Sequence, residues 1–338
     1  MKKLAICVPT YNRSYHLENC LNSILNNGKI IHDIEICISD NNSTDNTKKV
    51  VEYYKKYFKI NHNINNKNIG IAKNVLKSVE ISNSEFCWVI GDDDMLLEYS
   101  IQEVLDLIHK YQKADYFYIN SYHFNSELLK KYKYPLNTSD LPENLSKFSN
   151  FPNSFYGKFI ELINPKVSFD FLGGVYLSIF RKKNWDRNLD KINEKNINNN
   201  LLFSNIDNTY PHIKIFAYAF KNSEVFFCSK PLSINLYGVR EWTSLYPIVR
   251  SIRSVDALEI YFKNGLSKKK LFKYKNYALQ YFLPDMIKLM LNLKNSYPYL
   301  KEILLFYIKN CYYPNLYFSI FYQIKRSLYK IIKYEKSL

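Results

Sequence analysis

No Cys-x-x-Cys pair and no zinc-like spacing occurs among the six cysteines, Cys7, Cys20, Cys37, Cys87, Cys228 and Cys311. Four of them fall in apolar strand or helix patterns, where a reduced cysteine acts as a small hydrophobe. No apolar run approaches the roughly eighteen residues that a membrane span requires; Ile215–Phe220 and Ile303–Ile308 are typical of the longest. Lys2 and Lys3 are followed by a short apolar run that stops at Pro9, too brief for the core of a secretion signal. The expectation is a cytoplasmic protein. There is no internal repeat, no Gly-x-Gly-x-x-Gly after the first strand and no Gly-Lys-Ser/Thr loop, which removes dinucleotide-dependent dehydrogenases and P-loop enzymes.

What is present is a globular balance: 338 residues, 47% hydrophobic and 23% charged. Such a chain buries roughly three quarters of its unfolded surface and needs no disulfide or metal to fold. The net charge of +16 is unevenly spread. Residues 1–115 hold 14 Lys+Arg against 15 Asp+Glu, 116–264 hold 19 against 13, and 265–338 hold 14 against 3. The basic part is the tail. The 31 tyrosines and 22 phenylalanines accompany abundant Lys, Asn and Ile, as AT-rich coding would give, so aromatic content alone is no functional signal.

Short apolar runs alternate with helical periodicity through the first 120 residues. Leu4–Val8, Ile34–Ser39, Phe86–Ile90 and Tyr116–Asn120 read as strands, with a short one at Phe58–His62. Helical spacing links Leu17 to Leu25, Val50 to Tyr54, Ile71 to Val79 and Ile101 to Ile108. The alternation predicts a mostly parallel sheet with helices on both faces, and ligands beyond the carboxyl ends of its strands. That places Pro9–Arg13, Asp40–Asp45 and Gly91–Asp94 at the site. Asn137–Pro152 and Lys191–Asn200 read as loops, and the pattern is helical from Val249 onward.

Asp92-Asp93-Asp94 at a strand end carries the chemistry. Adjacent carboxylates repel unless a cation is near, and hard divalent ions take oxygen ligands. The residues alone leave two possibilities open: a metal site, or a solvated acidic turn capping the next helix. Four segments then act together: Leu4-Ala-Ile-Cys-Val-Pro-Thr-Tyr-Asn-Arg13, Ile38-Ser-Asp-Asn-Asn-Ser-Thr-Asp45, Asn68-Ile-Gly-Ile-Ala-Lys-Asn74 and Val89-Ile-Gly-Asp-Asp-Asp-Met-Leu96. In content, order and spacing they resemble glycosyltransferase family 2 with the GT-A fold, and Gly-Asp-Asp-Asp resembles its abequosyltransferase-like branch.

The resemblance implies an α/β GT-A fold, Rossmann-like with a mostly parallel central sheet flanked by helices, plus a helical C-terminal extension. Residues 1–120 would bind nucleotide-sugar, 121–248 the acceptor, and 249–338 would form the basic helical region. Pro9, Thr10, Tyr11 and Asn12 would shape the base pocket, with Arg13 close by and Asp40 accepting a hydrogen bond from the base. Asn68, Gly70, Lys73 and Asn74 would flank nucleotide and sugar, although the family more often has arginine where Lys73 stands. Asp92 and Asp93 would face the nucleotide-sugar, and Asp92 and Asp94 would hold the Mn²⁺ or Mg²⁺ that bridges the diphosphate. The donor would be a nucleotide-diphosphate sugar and the acceptor a glycan or lipid-linked glycan in bacterial surface polysaccharide synthesis.

Inverting transfer needs a general base, and the family's acidic motif is not clean here. Asp207 is the first candidate, His212 the second and Asp170 the third; each also suits a turn or helix start. Arg240 and Trp242 stand where family members close the site on phosphate and sugar; a surface arginine and a core tryptophan are the alternative. Residues 319–338 form an amphipathic helix with Ile320, Phe321, Ile324, Leu328, Ile331 and Ile332 on one face and Lys325, Arg326, Lys330, Lys333 and Lys336 on the other. It either lies on an anionic membrane, at the inner face of the cytoplasmic membrane, or packs on its own domain with the basic face in solvent. No nucleic-acid module matches, so no nucleic-acid partner is expected. Two rival functions stay open: a non-catalytic membrane-surface or polyanion-binding protein, and a nucleotidyltransferase using the same acidic site.

Overall fold

Leu4, Ile6 and Val8 face one side of strand β1 (Leu4–Thr10) and Ala5 and Cys7 the other, and all five are fully buried. A strand apolar on both faces belongs inside a sheet covered on both sides. A computed structural model of the chain, describing residues 1–142, 144–238 and 242–335, shows that arrangement. The other strands are β2 (Glu35–Asp40), β3 (Ile60–Ile64), β4 (Phe86–Val89), β5 (Asp94–Leu96), β6 (Ala114–Asn125), β7 (Ser146–Lys147), β8 (Phe155–Lys158), β9 (Ser178–Arg181) and β10 (Glu224–Tyr237). They form one ten-stranded sheet in the order β3-β2-β1-β4-β9-β6-β10-β5, with β7 beside β6 and β8 beside β10. Along that path only β9 and β5 oppose the common direction.

Helices α1 (Ser14–Leu25), α2 (Thr47–Tyr54) and α4 (Ser100–Lys110) cover one face through Leu17, Leu21, Val51, Ile101 and Val104. Helix α3 (Ile71–Glu80) and α5 (Pro211–Ala219) cover the other through Val79, Ile213 and Phe216. Cys7, Cys37 and Cys87 lie side by side under α3, and their small size lets that helix sit close to the strands. Five of the six cysteines are buried free thiols. The chain ends in α6 (Ser254–Lys263), α7 (Lys268–Ala278), α8 (Phe282–Met290), α9 (Leu300–Asn310) and α10 (Pro314–Glu335). Leu258, Leu279, Phe282, Leu289 and Leu316 join these helices to the core under α3 and α5.

Several boundaries differ from the sequence expectation. Strand β6 runs through residue 120, so the proposed nucleotide and acceptor halves share a strand and a sheet. The stretch Lys191–Asn200 contains a helical turn, Glu194–Ile197, whose Asn193 side chain caps its amide end. Phe58 is buried ahead of β3 rather than in it. Arg240 lies outside the described residues, as do the side chains from Tyr329 onward, including Ile331, Ile332, Lys330, Lys333 and Lys336.

The strand ends are held in register by side chains. Asn74, at the start of α3, donates to the carbonyls of Thr10 (3.2 Å) and Ser39 (3.0 Å) and accepts from Ser39 Oγ (2.8 Å) and Asn65 (3.0 Å). It is buried, so its amide acts as a clasp between β1, β2 and α3. Asn74→Ala leaves those partners without water, and urea unfolding should show a loss of about 2–4 kcal/mol.

Candidate active site

The common direction of β1, β2 and β4 brings three loops to one edge of the sheet. These are the loops that the strand pattern singled out, and hydrogen bonds join them. Asn12 adopts a left-handed conformation, φ 52°, which asparagine tolerates better than most residues. Its amide donates to Ser43 Oγ (2.8 Å) and its Oδ1 accepts from the Thr44 amide (2.7 Å). The Ser14 amide donates to Asp45 (2.9 Å). Asp40 Oδ1 accepts from the Ser43 amide (2.8 Å), while His62 on β3 stands 4.0 Å from Oδ2. Burial holds the His62 imidazole below its ordinary pKa and so favours the neutral ring.

Asp92, Asp93 and Asp94 are 4%, 6% and 2% exposed, which sets aside the solvated-turn alternative. Asp94 opens β5 instead of capping a helix. Arg13 answers two of the carboxylates at once, donating to Asp92 (2.9 Å) and Asp93 (3.2 Å). Thr10 Oγ1 donates to the other oxygen of Asp92 (2.8 Å). Asp94 accepts from the Gly91 amide (2.7 Å) and from Asn235 on β10 (2.8 Å). Burial pushes Asp92 up to about 7, opposed by the pull of Arg13 and aided by the neighbouring Asp93 charge. Arg13 thus bridges two neighbouring carboxylates, Asp92 and Asp93. Glycine at position 91 makes room for it, since a Cβ there would lie 2.7 Å from Asp93 Oδ1 and 3.0 Å from Asp94 Oδ2.

Hard carboxylate oxygens suit Mg²⁺ or Mn²⁺ chemically. Among the described residues no three acidic, histidine or cysteine side chains converge as a complete cage. Two carboxylates with diphosphate oxygens to complete the shell are the arrangement that fits, and Asp92 and Asp94 are the pair that would supply it.

The remaining expected residues are distributed as follows. Tyr11 is exposed at the rim. Asn68 accepts from Asn41 (2.8 Å) and the Gly70 amide (2.9 Å), so it shapes the turn before α3, where Gly70 takes φ 88°. Lys73 reaches Asn198 (2.6 Å), linking α3 to the turn around Glu194–Ile197. Asp207 is fully buried; its Oδ2 accepts from Lys214 (2.7 Å) and Asn196 (3.0 Å), while Oδ1 has no hydrogen-bond partner. Asp170 is held in its own loop by Ser168 (2.8 Å) and the Gly174 amide (2.7 Å), supporting left-handed Phe171 and Leu172. Trp242 is half-buried, with its ring edge-on to Phe203 at 5.1 Å.

His212 lies in the core. It is 3% exposed, its Nε2 lies 3.1 Å from the Leu172 carbonyl, and Tyr210 and Phe216 flank it. Burial pulls its pKa down to about 4 and so favours the neutral ring. Sequence reasoning missed Asn235, His62, Asn41 and Asn65. Only the pairing of β10 with β5 brings Asn235 to Asp94, 141 positions away, and no local pattern marks it.

The glycosyl transferase family 2 profile matches residues 5–187. Abequosyltransferase RfbV of Salmonella typhimurium is 44% identical over 100 residues, 29% of this chain and 30% of that protein. The GalNAc(5)-diNAcBac-PP-undecaprenol beta-1,3-glucosyltransferase of Campylobacter jejuni is 32% identical over 192 residues, 54% of this chain and 52% of that protein. The matches thus span from under a third to about half of these relatives' lengths. Among solved structures, S. aureus TarS in complex with UDP-GlcNAc aligns over 82% of this chain and 72% of its own at TM-score 0.55 and 17% identity. A Pyrobaculum calidifontis mannosyltransferase in complex with GDP-Man and Mn²⁺ aligns over 95% and 84% at TM-score 0.52 and 12% identity. At these identities the structures establish the fold, which is the expected GT-A one.

The His212 placement has a measurable consequence. Folded, the ring stays neutral down to about pH 4, whereas the unfolded chain protonates it from its ordinary value of 6.5. Stability is fully present above pH 6.5 and is lost as pH falls toward 4, by up to roughly 3 kcal/mol from this group. His212→Gln keeps a donor for the Leu172 carbonyl, and urea unfolding at pH 7 and pH 5 should show a flatter pH dependence than wild type.

Proposed function

The chain belongs to glycosyl transferase family 2, and from that premise we propose that it moves a sugar from a nucleotide-diphosphate donor to a glycan or lipid-linked glycan acceptor. The setting proposed is bacterial surface polysaccharide synthesis, in keeping with the named activities of the abequosyltransferase and the undecaprenol-linked glucosyltransferase. The observation that carries the reading is the buried Asp92–Asp94 cluster, fastened through Arg13 and Thr10 to the loop after β1. A carboxylate cluster at that edge sits where a donor's diphosphate has to lie if its base occupies the loops of Pro9–Arg13 and Asp40.

In this mechanism Tyr11 offers a ring to the nucleotide base and Asp40 Oδ2 accepts from it. Arg13 holds Asp92 and Asp93 in place until the donor arrives and lies close to the diphosphate afterwards. Asp92 and Asp94 would hold Mn²⁺ or Mg²⁺, whose charge stabilises the departing diphosphate. The acceptor hydroxyl attacks the anomeric carbon from the side opposite the diphosphate, so the configuration inverts. Its proton passes to a base, for which Asp207 is the first candidate and His212 the second. Arg240 is assigned to diphosphate, and Trp242 to the sugar.

Thermal shift with UDP and GDP, each with and without Mn²⁺, should show stabilisation that needs both nucleotide and metal. Asp94→Ala should retain the fold by circular dichroism and lose at least about a hundredfold of transfer activity. Wild-type activity in that variant would refute the assignment. Release of a nucleoside diphosphate identifies a glycosyltransferase, and release of pyrophosphate a nucleotidyltransferase.

A further inference from the structure

The final helix packs in the opposite sense to an ordinary surface helix. An amphipathic helix on a soluble domain turns its apolar stripe inward. Here α10 docks through Leu316, Ser319, Gln323 and Arg326, which fall within one sector at about 100° per residue. Ser319 Oγ accepts from the Leu283 amide (3.1 Å), and Arg326 lies 4.2 Å over the Tyr281 ring and donates to the Gln280 carbonyl (3.4 Å). The stripe carrying Phe321, Ile324 and Leu328 is left in solvent, with Phe321 67% exposed. Neither sequence alternative for this helix anticipated a packed helix with its apolar side outward.

The neighbouring helices repeat the pattern. On α9, Phe306 and Asn310 are buried while Leu304, Leu305 and Ile308 are exposed. After α8, Leu291 is 84% and Tyr297 73% exposed. These helices touch one another: Phe282 of α8 stacks on Phe306 of α9, and the Leu283 amide of α8 donates to Ser319 of α10. The exposed charge there is of one sign, since Lys288, Lys294, Lys301, Lys309 and Lys325 are exposed. The acids of residues 265–328 are Asp285 and Glu302; Asp285 is fully buried against Arg250, and Glu302 is paired with Arg253.

We propose that α8, α9 and α10 form a face that lies on an anionic lipid bilayer, apolar side chains entering the headgroup region and lysines meeting the phosphates. Apolar exposure alone would also suit a second copy of the chain, but that pairing would bring two unneutralised lysine sets together. An anionic bilayer complements both properties. No helix among the described residues is long and apolar enough to cross a membrane, so the contact is interfacial. The inference does not depend on the transferase reading, because it is measured without nucleotide or acceptor.

The test is flotation of the full chain with phosphatidylcholine vesicles, with and without phosphatidylglycerol as a third of the lipid. Wild type should float with the anionic vesicles, and high salt should weaken the association. The triple substitution Phe321→Ser, Ile324→Ser, Leu328→Ser should lower the partition coefficient by at least about tenfold at unchanged thermal unfolding. If that variant misfolds, Lys309→Glu with Lys325→Glu supplies the same readout. The proposal is overturned by equal flotation of wild type and variants, by absence of binding to anionic vesicles, or by a wild-type dimer in sedimentation that the triple substitution dissolves.

Discussion

Three carboxylates buried side by side are the constraint around which this fold is arranged. Ionised groups leave water only when other groups replace their hydration, and Asp92, Asp93 and Asp94 draw those groups from separate parts of the chain. Arg13 and Thr10 come from β1 and the loop after it, Gly91 from the turn itself, and Asn235 from β10. The cluster thereby fastens the central strand to the far side of the sheet. A hydrophobic plug of equal volume would hold these strands together at lower desolvation cost. Retaining three acids there makes sense for a site that receives a cationic or cation-bridged ligand.

The first half of the chain was legible because its signals are local. Alternation and helical spacing mark β1, β2, β4, α1, α3 and α4 without reference to distant residues, and turn residues mark the loops. The central strand β9 was not legible. Its four residues, Ser178–Arg181, enter between β4 and β6 from the second half, and nothing in so short a run distinguishes it from a loop or helix end. The asparagines show the same limit at the level of single residues. Asn68 and Asn74 stood out through a motif, yet the structure gives them the task of bonding Asn41, Asn65 and the strand carbonyls. A polar residue in a ligand-binding motif can act by shaping the backbone around the ligand. The candidate bases were hardest to choose because Asp170, Asp207 and His212 all begin or close turns, and folding leaves both Asp207 and His212 buried.

The C-terminal helix illustrates a different ambiguity. Periodicity established that residues 319–328 have an apolar and a polar side, and α10 has both. Amphipathicity does not say which side faces the protein. That choice was made by what the docking surface offers: the Tyr281 ring and Gln280 carbonyl for Arg326, and the Leu283 amide for Ser319. A surface that satisfies polar groups selects the polar stripe of the helix, and the apolar stripe has to find its contacts elsewhere.

Nucleotide bias in the coding sequence sets how many aromatic and aliphatic residues a chain contains, but it does not sort them between core and surface. In the sheet domain the sorting is ordinary: Tyr116 lies among Phe159, Phe216 and Phe220, and many of the large side chains left outside are tyrosines such as Tyr11, Tyr15, Tyr53 and Tyr99, whose hydroxyls suit water. From Ile287 onward the exposed large hydrophobic side chains are instead mainly Leu, Ile, Met and Phe, in a stretch that carries 9 basic residues against 2 acidic ones. A bias acting on the whole gene would not confine that change to the helices beyond the sheet. Position in the fold, and not composition, is what separates a surface made for water from one made for a partially apolar, negatively charged neighbour.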